Sequence, residues 1–289
     1  MAAVELTRNA PATEGRAGFV VLGASNVSRG LPRLVAAIEA RVAAADVFVA
    51  AGHGRSYGAN SRVWARRLPS ILRCGLWRGL DRAGHVAGAG QTPGAGQTPG
   101  AGQAAADRPR LHALVTDVGN DLLYGFSVEQ VAAWLRESMG RLADRGGRIA
   151  VTRLPLASIA SVGRVRYRAM RTLFVPGCLL SLDEVKAAAI RLDEELAGIA
   201  AAHGAAVIDQ PGEWYGLDAI HVRRRRLDTV WERACAAWGL DHSPPPRRSL
   251  ARWAAVGSRG AEVRSLAGAV RFTRQPVLTL AQGGTLSLY

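Results

Sequence analysis

Five short apolar runs recur along the chain, and each ends in a glycine or a polar turn. They occupy residues 18–22, 46–51, 111–117, 148–153 and 205–209. Their apolar character is continuous instead of alternating, which is typical of parallel strands that are buried on both faces. The pattern therefore predicts a parallel β-sheet.

Segments with helical periodicity separate these runs. Residues 127–130 and 181–184 each begin with serine and have Gln or Glu three positions later, as in a capping box, and Gly204 closes the second helix. Alternating strands and helices predict an α/β fold, a three-layer α/β/α sandwich covering residues 15–240. In such sheets, ligands bind beyond the carboxyl ends of the strands.

Two segments do not fit this alternation. Residues 88–103 repeat Gly-Ala-Gly-Gln-Thr-Pro and offer no side chains to bury, so they predict a flexible low-complexity insertion. A proline run at 244–246 breaks the last helix and predicts a linker. Beyond it, residues 277–281 and 285–289 alternate around a Gly-Gly turn. We therefore expect a C-terminal extension, residues 241–289, that contains a β-hairpin.

Two basic segments leave alternatives open. Residues 154–180 follow the fourth predicted strand and carry four arginines, so they form either part of a pocket wall or lid, or a solvated basic face. Arg223 to Arg226 either face an anionic group or begin the last helix.

The net charge is +14, and Lys186 is the only lysine among 37 basic residues. Coding bias towards arginine explains this composition, and so does an anionic partner. No helix-turn-helix, zinc-finger or RNA-recognition signature accompanies the charge, which argues against nucleic-acid binding as the main function. The oligomeric state stays open.

Hydrophobic residues make up 48% of the chain, enough for a sizeable core, but no run is long enough for a membrane span. Residues 1–16 lack the apolar stretch of a secretory signal, so we expect a cytoplasmic protein. Cys74, Cys178 and Cys235 are far apart and odd in number. This spacing predicts small buried residues and argues against a disulfide framework or a metal site.

Three short motifs carry the candidate chemistry. Ser25 lies in Gly23-Ala24-Ser25, Asn120 lies in Gly119-Asn120-Asp121, and Asp218 precedes His221 by three residues. Alone, each residue has a plainer explanation, as a helix cap, a turn or a structural histidine. Their joint occurrence in this order, after predicted strands or late in the chain, favours a hydrolase site.

The reaction requires these residue types. A serine hydroxyl becomes a nucleophile when a base takes its proton, and histidine suits that task near neutral pH. A carboxylate on the other ring nitrogen fixes the tautomer, and a tight turn brings Asp218 to His221. An asparagine amide is a suitable donor to the oxyanion.

These motifs resemble those of the SGNH (GDSL-like) hydrolase family. That family has Gly-Asp-Ser after its first strand, a glycine after its second, Gly-x-Asn-Asp after its third and Asp-x-x-His near its end. The resemblance spans residues 18–222 and implies a flavodoxin-like sheet of five parallel strands. It also implies that Ser25 is the nucleophile, His221 the base and Asp218 the residue that orients His221. The oxyanion hole would consist of the Ser25 and Gly54 N–H groups and the Asn120 side chain, without a metal or cofactor.

Two departures from the family pattern affect the first motif. Ala24 replaces the usual aspartate, which removes a turn-stabilising group but no member of the triad, and Asn26 replaces a common leucine. The glycine of the second motif is Gly52, Gly54 or Gly58, and counting from the strand end favours Gly54. His53, next to it, is a candidate pocket residue.

The sequence thus predicts a serine esterase that acts through an acyl-enzyme on a small-molecule, carbohydrate or lipid ester. Acyl transfer to an alcohol at the same site is one alternative. The other is a non-catalytic protein that binds an acylated or anionic ligand. Acetylated carbohydrates, lysophospholipids, thioesters and small acyl esters all remain possible substrates.

Overall fold

The computed structural model describes residues 16–63, 66–85, 111–240 and 250–289. The predicted insertion at 88–103 and the proline run at 244–246 lie outside these described residues.

The strands and helices follow one another along most of the chain. The strands are β1 (Ala17–Leu22), β2 (Ala45–Ala50), β3 (Ser61–Val63), β4 (Arg66–Leu68), β5 (Leu111–Val115), β6 (Arg148–Thr152), β7 (Ala206–Ile208), β8 (Val263–Leu266), β9 (Ala269–Phe272), β10 (Leu278–Thr279) and β11 (Thr285–Leu288). The described helices are α1 (Ser25–Glu39), α2 (Leu76–Arg82), α3 (Asn120–Leu123), α4 (Val128–Ala143), α5 (Leu156–Ala160), α6 (Arg164–Phe174), α7 (Leu182–Ala202), α8 (Leu227–Ala237) and α9 (Leu250–Gly257).

Five parallel strands form the centre of the main sheet in the order β2-β1-β5-β6-β7. Counted along the chain, this is the order 2-1-3-4-5 of flavodoxin-like folds. Two apolar layers cover the sheet, one with α2, α4 and α7 and the other with α1, α8 and α9. The predicted α/β/α sandwich is confirmed.

The predicted number of strands in the main sheet is wrong, because seven strands form it instead of five. Strand β11 pairs in parallel with β2, and β10 pairs antiparallel with β11. Both come from the C-terminal extension. Strand β11 covers the edge of β2, whose N–H and C=O groups would otherwise lack partners on that side. A second, four-stranded sheet, β3-β4-β8-β9, also combines the two parts of the chain.

The capping and terminating residues that the sequence predicts for two helices are found at the ends of those helices in the structure. Ser127 and Ser181 form complete capping boxes at the starts of α4 and α7. Gly204, with φ of +58°, follows the end of α7. Arg224 to Arg226 form a short 3₁₀ turn that leads into α8, so this basic run begins that helix. All three cysteines are buried and free, as predicted.

None of the helices in the part of the chain that the structure describes combines the length and apolar character needed to cross a membrane.

Candidate active site

The candidate site lies where the strand order of the sheet reverses. Ser25 is the first residue of α1, directly after β1, and Asn120 is the first residue of α3, shortly after β5. Strands β1 and β5 are neighbours, and their following helices lie on opposite faces of the sheet. This is the switch point at which α/β sheets bind ligands.

The turn that carries Ser25 is tightly packed. A Cβ at Gly23 would lie 2.6 Å from Val27 Cγ2 and 2.8 Å from Thr116 Cγ2, so only glycine fits there. Ser25 itself is buried. The backbone therefore holds the serine in a fixed place at the strand end.

Asp117 stabilises this turn from the neighbouring strand. Its Oδ2 accepts hydrogen bonds from the N–H groups of Ala24 at 2.8 Å and Asn26 at 3.1 Å. Asp117 has a φ of +59°, a left-handed conformation that aspartate tolerates better than most residues. A carboxylate is thus present beside the serine turn, although position 24 itself is an alanine.

Asn26 joins the serine turn to the loop that carries His221. Its Nδ2 donates to Asp117 Oδ1 at 2.7 Å and to the Ile220 carbonyl at 3.1 Å. Its Oδ1 accepts from the Val222 N–H at 2.9 Å. The two loop partners are the residues immediately before and after His221, so one amide fixes the backbone on both sides of the histidine.

Asp218 and His221 form a pair within their own loop. His221 Nδ1 is hydrogen-bonded to Asp218 Oδ2. Asp218 Oδ1 accepts from the backbone N–H groups of Ile220 and His221, both at 3.2 Å. Burial opposes the charge on Asp218, but the hydrogen bond and positive charge of His221 and these two N–H groups together lower its pKa. Asp218 is therefore ionised and binds the imidazole through Nδ1.

Two further basic side chains lie around this pair. Arg29, one turn after Ser25 on α1, has a lowered pKa because of burial, partly offset by Asp218 and Asp117. The pKa of His53 is also lowered, first by desolvation and then by its electrostatic interactions with His221, Arg66 and Arg29. His53 thus lies in the electric field of the candidate base, and these shifts keep it neutral.

The loop after β2 approaches the same edge of the sheet. Gly54 has a φ of +69° in a turn that Arg55 closes by donating its N–H to the Gly52 carbonyl at 3.1 Å. Two residues on, the Tyr57 N–H donates to Asp121 Oδ2 at 3.0 Å. Asp121 follows Asn120, so this bond ties the Gly54 loop to the start of α3.

An apolar cavity adjoins the site. Asn26, Asp117 and Asn120 line one part of it, Ala219 and Ile220 of the histidine loop line another, and side chains of α5, α6 and α7 contribute much of the rest. Two tyrosines contribute polar groups that are already paired. The Tyr167 hydroxyl donates to the Leu180 carbonyl at 2.6 Å, and the Tyr215 hydroxyl donates to Gln210 Oε1 at 2.6 Å. The segment 154–180 therefore includes part of a pocket wall, one of the two alternatives that the sequence leaves open.

Similar folds occur among solved structures. An aryl esterase from M. smegmatis is 11% identical, with a TM-score of 0.48, over 78% of this chain and 100% of that chain. A carbohydrate acetylesterase from Sinorhizobium meliloti is 11% identical, with a TM-score of 0.43, over 75% and 98% of the chains. A lipolytic G-D-S-L family protein from Veillonella parvula is 13% identical, with a TM-score of 0.41, over 76% and 97%. Likenesses this remote concern the fold alone.

No protein-family model matches the sequence, and no curated protein sequence matches it significantly.

Two residues of the site escape the motif-based prediction. Asn26 is notable in the sequence only as a departure from the family pattern, and Asp117 lies two positions before the Gly119-Asn120 motif. The available signal for Asp117 is its place directly after the third parallel strand, which is where polar residues reach the site edge.

Proposed function

We propose that this protein is a serine esterase that forms an acyl-enzyme on Ser25. The single observation that carries the proposal is a set of hydrogen bonds that connects the turn of Ser25 with the loop of Asp218 and His221. Asn26, next to Ser25, bonds to both neighbours of His221, and Asp218 holds His221 Nδ1. These bonds connect the serine turn to the histidine loop, and a serine, an imidazole and an ionised carboxylate are the groups that acyl transfer requires.

In the proposed reaction, Ser25 Oγ attacks the ester carbonyl carbon while His221 Nε2 takes the hydroxyl proton. The tetrahedral intermediate collapses as His221 gives this proton to the leaving alcohol, and the acyl-enzyme remains. Water, deprotonated by His221, then releases the carboxylic acid and restores Ser25. Asn120, at the start of α3, and the N–H groups of Ser25 and Gly54 are the candidate oxyanion donors.

A serine-directed fluorophosphonate tests the nucleophile directly. We expect it to label the wild-type protein on Ser25 and to leave Ser25→Ala unlabelled. Ser28→Ala is the matched control, because Ser28 lies one turn further along α1 and its hydroxyl only donates to the Ala24 carbonyl at 3.0 Å. On an ester that the wild type hydrolyses, Ser25→Ala should lower kcat by roughly 10⁴–10⁶-fold.

Labelling that persists in Ser25→Ala, or an absence of labelling and turnover in the wild type, would contradict the proposal and favour a binding protein. Product analysis with added acceptor alcohols separates hydrolysis from acyl transfer, because transfer yields a new ester in place of the free acid.

A further inference from the structure

The cavity beside the site constrains which part of an ester it accepts. Its described wall includes Asn26 and Asn120, and also Ala219 and Ile220, the two residues between Asp218 and His221. The leaving alcohol must lie next to His221, because that residue protonates it. We assign the cavity to the acyl chain because Asn120, the candidate oxyanion donor, lines it, and the carbon that carries the oxyanion also carries the acyl chain.

The size and lining of the cavity indicate a hydrophobic acyl group. Its volume is about 100 Å³, and most of its wall is aliphatic, including Ile159, Met170 and Val185. Since an apolar cavity of about 150 Å³ binds benzene, this one holds roughly four carbon atoms. An acetyl group underfills it, and α6, whose Tyr167 and Met170 line the cavity, also carries exposed apolar side chains.

The surface around α6 exposes large apolar side chains. Val165 and Leu173 on α6 are 84% and 64% exposed, and Leu179, in the loop that follows, is 93% exposed. Leu217 is 89% exposed. The side chain of Arg166, on α6, donates hydrogen bonds to the carbonyls of Leu217 and Gly216, so Leu217 lies next to α6. We call Arg164–Leu179 together with Leu217 the collar.

The collar is also strongly basic. Helix α6 carries Arg164, Arg166, Arg168 and Arg171, and residues 154–181 contain neither aspartate nor glutamate. Exposed apolar residues alone would fit a protein partner, and arginines alone would fit any polyanion. Both together on one short helix, over a cavity for an acyl chain, fit an anionic lipid surface.

We propose that the collar docks on an anionic lipid surface and that the substrate is an ester whose acyl chain passes from that surface into the cavity. The docking part stands independently of catalysis, whereas the substrate class rests on the proposed function.

Vesicle sedimentation tests docking. The Ser25→Ala protein, which spares the lipid, should bind vesicles of equal parts phosphatidylcholine and phosphatidylglycerol, and should bind pure phosphatidylcholine weakly. Val165→Ser/Leu173→Ser should lower the partition coefficient at least roughly tenfold by removing apolar anchors. Arg164→Gln/Arg168→Gln should lower it by roughly 30-fold, because each arginine near such a surface contributes about fivefold.

The matched control is Val270→Ser/Phe272→Ser on β9, where both side chains are more than half exposed but distant in sequence from the collar. It should bind like the parent protein. Equal binding to both vesicle types, or no response to the Val165/Leu173 change, would overturn docking. So would a dimer that these substitutions dissociate, because the collar would then be a contact between copies of the chain.

A series of p-nitrophenyl esters in detergent-free solution tests the substrate class. From acetyl to butyryl, kcat/KM should rise by roughly fourfold per added methylene, because burying one methylene group contributes about 0.8 kcal/mol of binding free energy. Met170→Trp, which fills the cavity, should abolish this rise. Ile190→Trp, on the half-exposed face of α7, is the control that keeps the rise.

The two proposals fail in different ways. Turnover without any preference for longer acyl chains would overturn the assignment of the cavity and leave the esterase intact. Absence of phosphonate labelling at Ser25 would overturn the proposed esterase function. Vesicle binding would still test whether the collar docks on an anionic lipid surface.

Discussion

Asn26 joins the turn that carries Ser25 to the loop that carries His221. Both its amide nitrogen and its oxygen bond to the loop around His221, and the nitrogen also reaches Asp117. A leucine at this position would make none of these bonds. We therefore expect Asn26 to position His221 and not to contact the reacting atoms.

Asn26→Ala should reduce kcat by roughly 10²-fold, since misplacement of a catalytic group by about 1 Å has effects of this size. The KM for a short ester should change far less, because the aliphatic part of the acyl cavity remains. The rate of fluorophosphonate labelling at Ser25 should fall in parallel with kcat. Steady-state kinetics and timed labelling measure these quantities.

Asn60→Ala provides the comparison. Asn60 also joins two backbone segments, accepting from the Ser70 N–H at 3.2 Å, but it makes no recorded contact with the serine or histidine loop. A loss of stability without a change in kcat should result. If Asn26→Ala behaved in the same way, Asn26 would have only a structural role.

At this scale the sequence reveals only part of the candidate site. The spacing of Asp218 and His221 predicts their contact, because one tight turn spans three residues. The bonds of Asn26 to Ile220 and Val222 join positions nearly 200 residues apart, and no local pattern encodes such a pairing. The catalytic roles of Ser25, Gly54, Asn120, Asp218 and His221 stay predictions.

At the scale of elements, α3 and the loop after β2 depend on one buried carboxylate. Asp121 is almost completely inaccessible and accepts the Tyr57 N–H. Burial raises the pKa of Asp121 to about 6, and hydrogen bonds from Ser56 and Tyr57 offset only part of this effect. Between about pH 4 and pH 6, the folded protein therefore retains a proton on Asp121 that the unfolded chain has already released.

This shift makes stability depend on pH in a defined direction. Below pH 4, Asp121 is protonated in both states and carries no penalty. Between about pH 4 and pH 6 the unfolded state loses its proton first, so the free energy of unfolding decreases, by roughly 3 kcal/mol in total for this group. Above that range the penalty is constant.

Asp121→Asn should remove this dependence, since the amide oxygen can still accept from Tyr57. The difference in unfolding free energy between Asp121→Asn and wild type should therefore grow in favour of the variant from pH 4 to pH 7. Urea titrations at several pH values measure it. Asp144→Asn, at the exposed end of α4, controls for the loss of one carboxylate, and an identical pH response of both variants would refute the assignment.

Elements with strong local signals are the ones that the sequence predicts well. The five continuous apolar runs and the two capping boxes all correspond to observed strands and helices. Strands β3, β4, β8 and β9 escape prediction because they are three or four residues long and rich in arginine. These strands are stabilised by pairing between distant parts of the chain, as between β4 and β8, and not by local β-propensity.

At the scale of the whole molecule, the C-terminal extension is part of the central sheet. Strand β11 continues the parallel order beyond β2, and the Tyr289 N–H donates to the Val49 carbonyl at 2.8 Å. Leu286 is completely buried and packs in the same apolar layer as Val47 and Leu34. The boundary predicted at residue 241 thus separates segments of sequence that share one core.

Leu286→Ala tests whether the extension and the sandwich unfold as one unit. If they share a core, the substitution should lower the free energy of unfolding by roughly 2–5 kcal/mol, as for other buried leucines, while denaturation stays a single transition. Circular dichroism and tryptophan fluorescence should report the same midpoint, because Trp231 and Trp238 lie in that layer. Val270→Ala, on the exposed strand β9, should change stability by no more than about 0.5 kcal/mol. Two separate transitions, with only the weaker one affected by Leu286→Ala, would show instead that the extension folds as an independent domain.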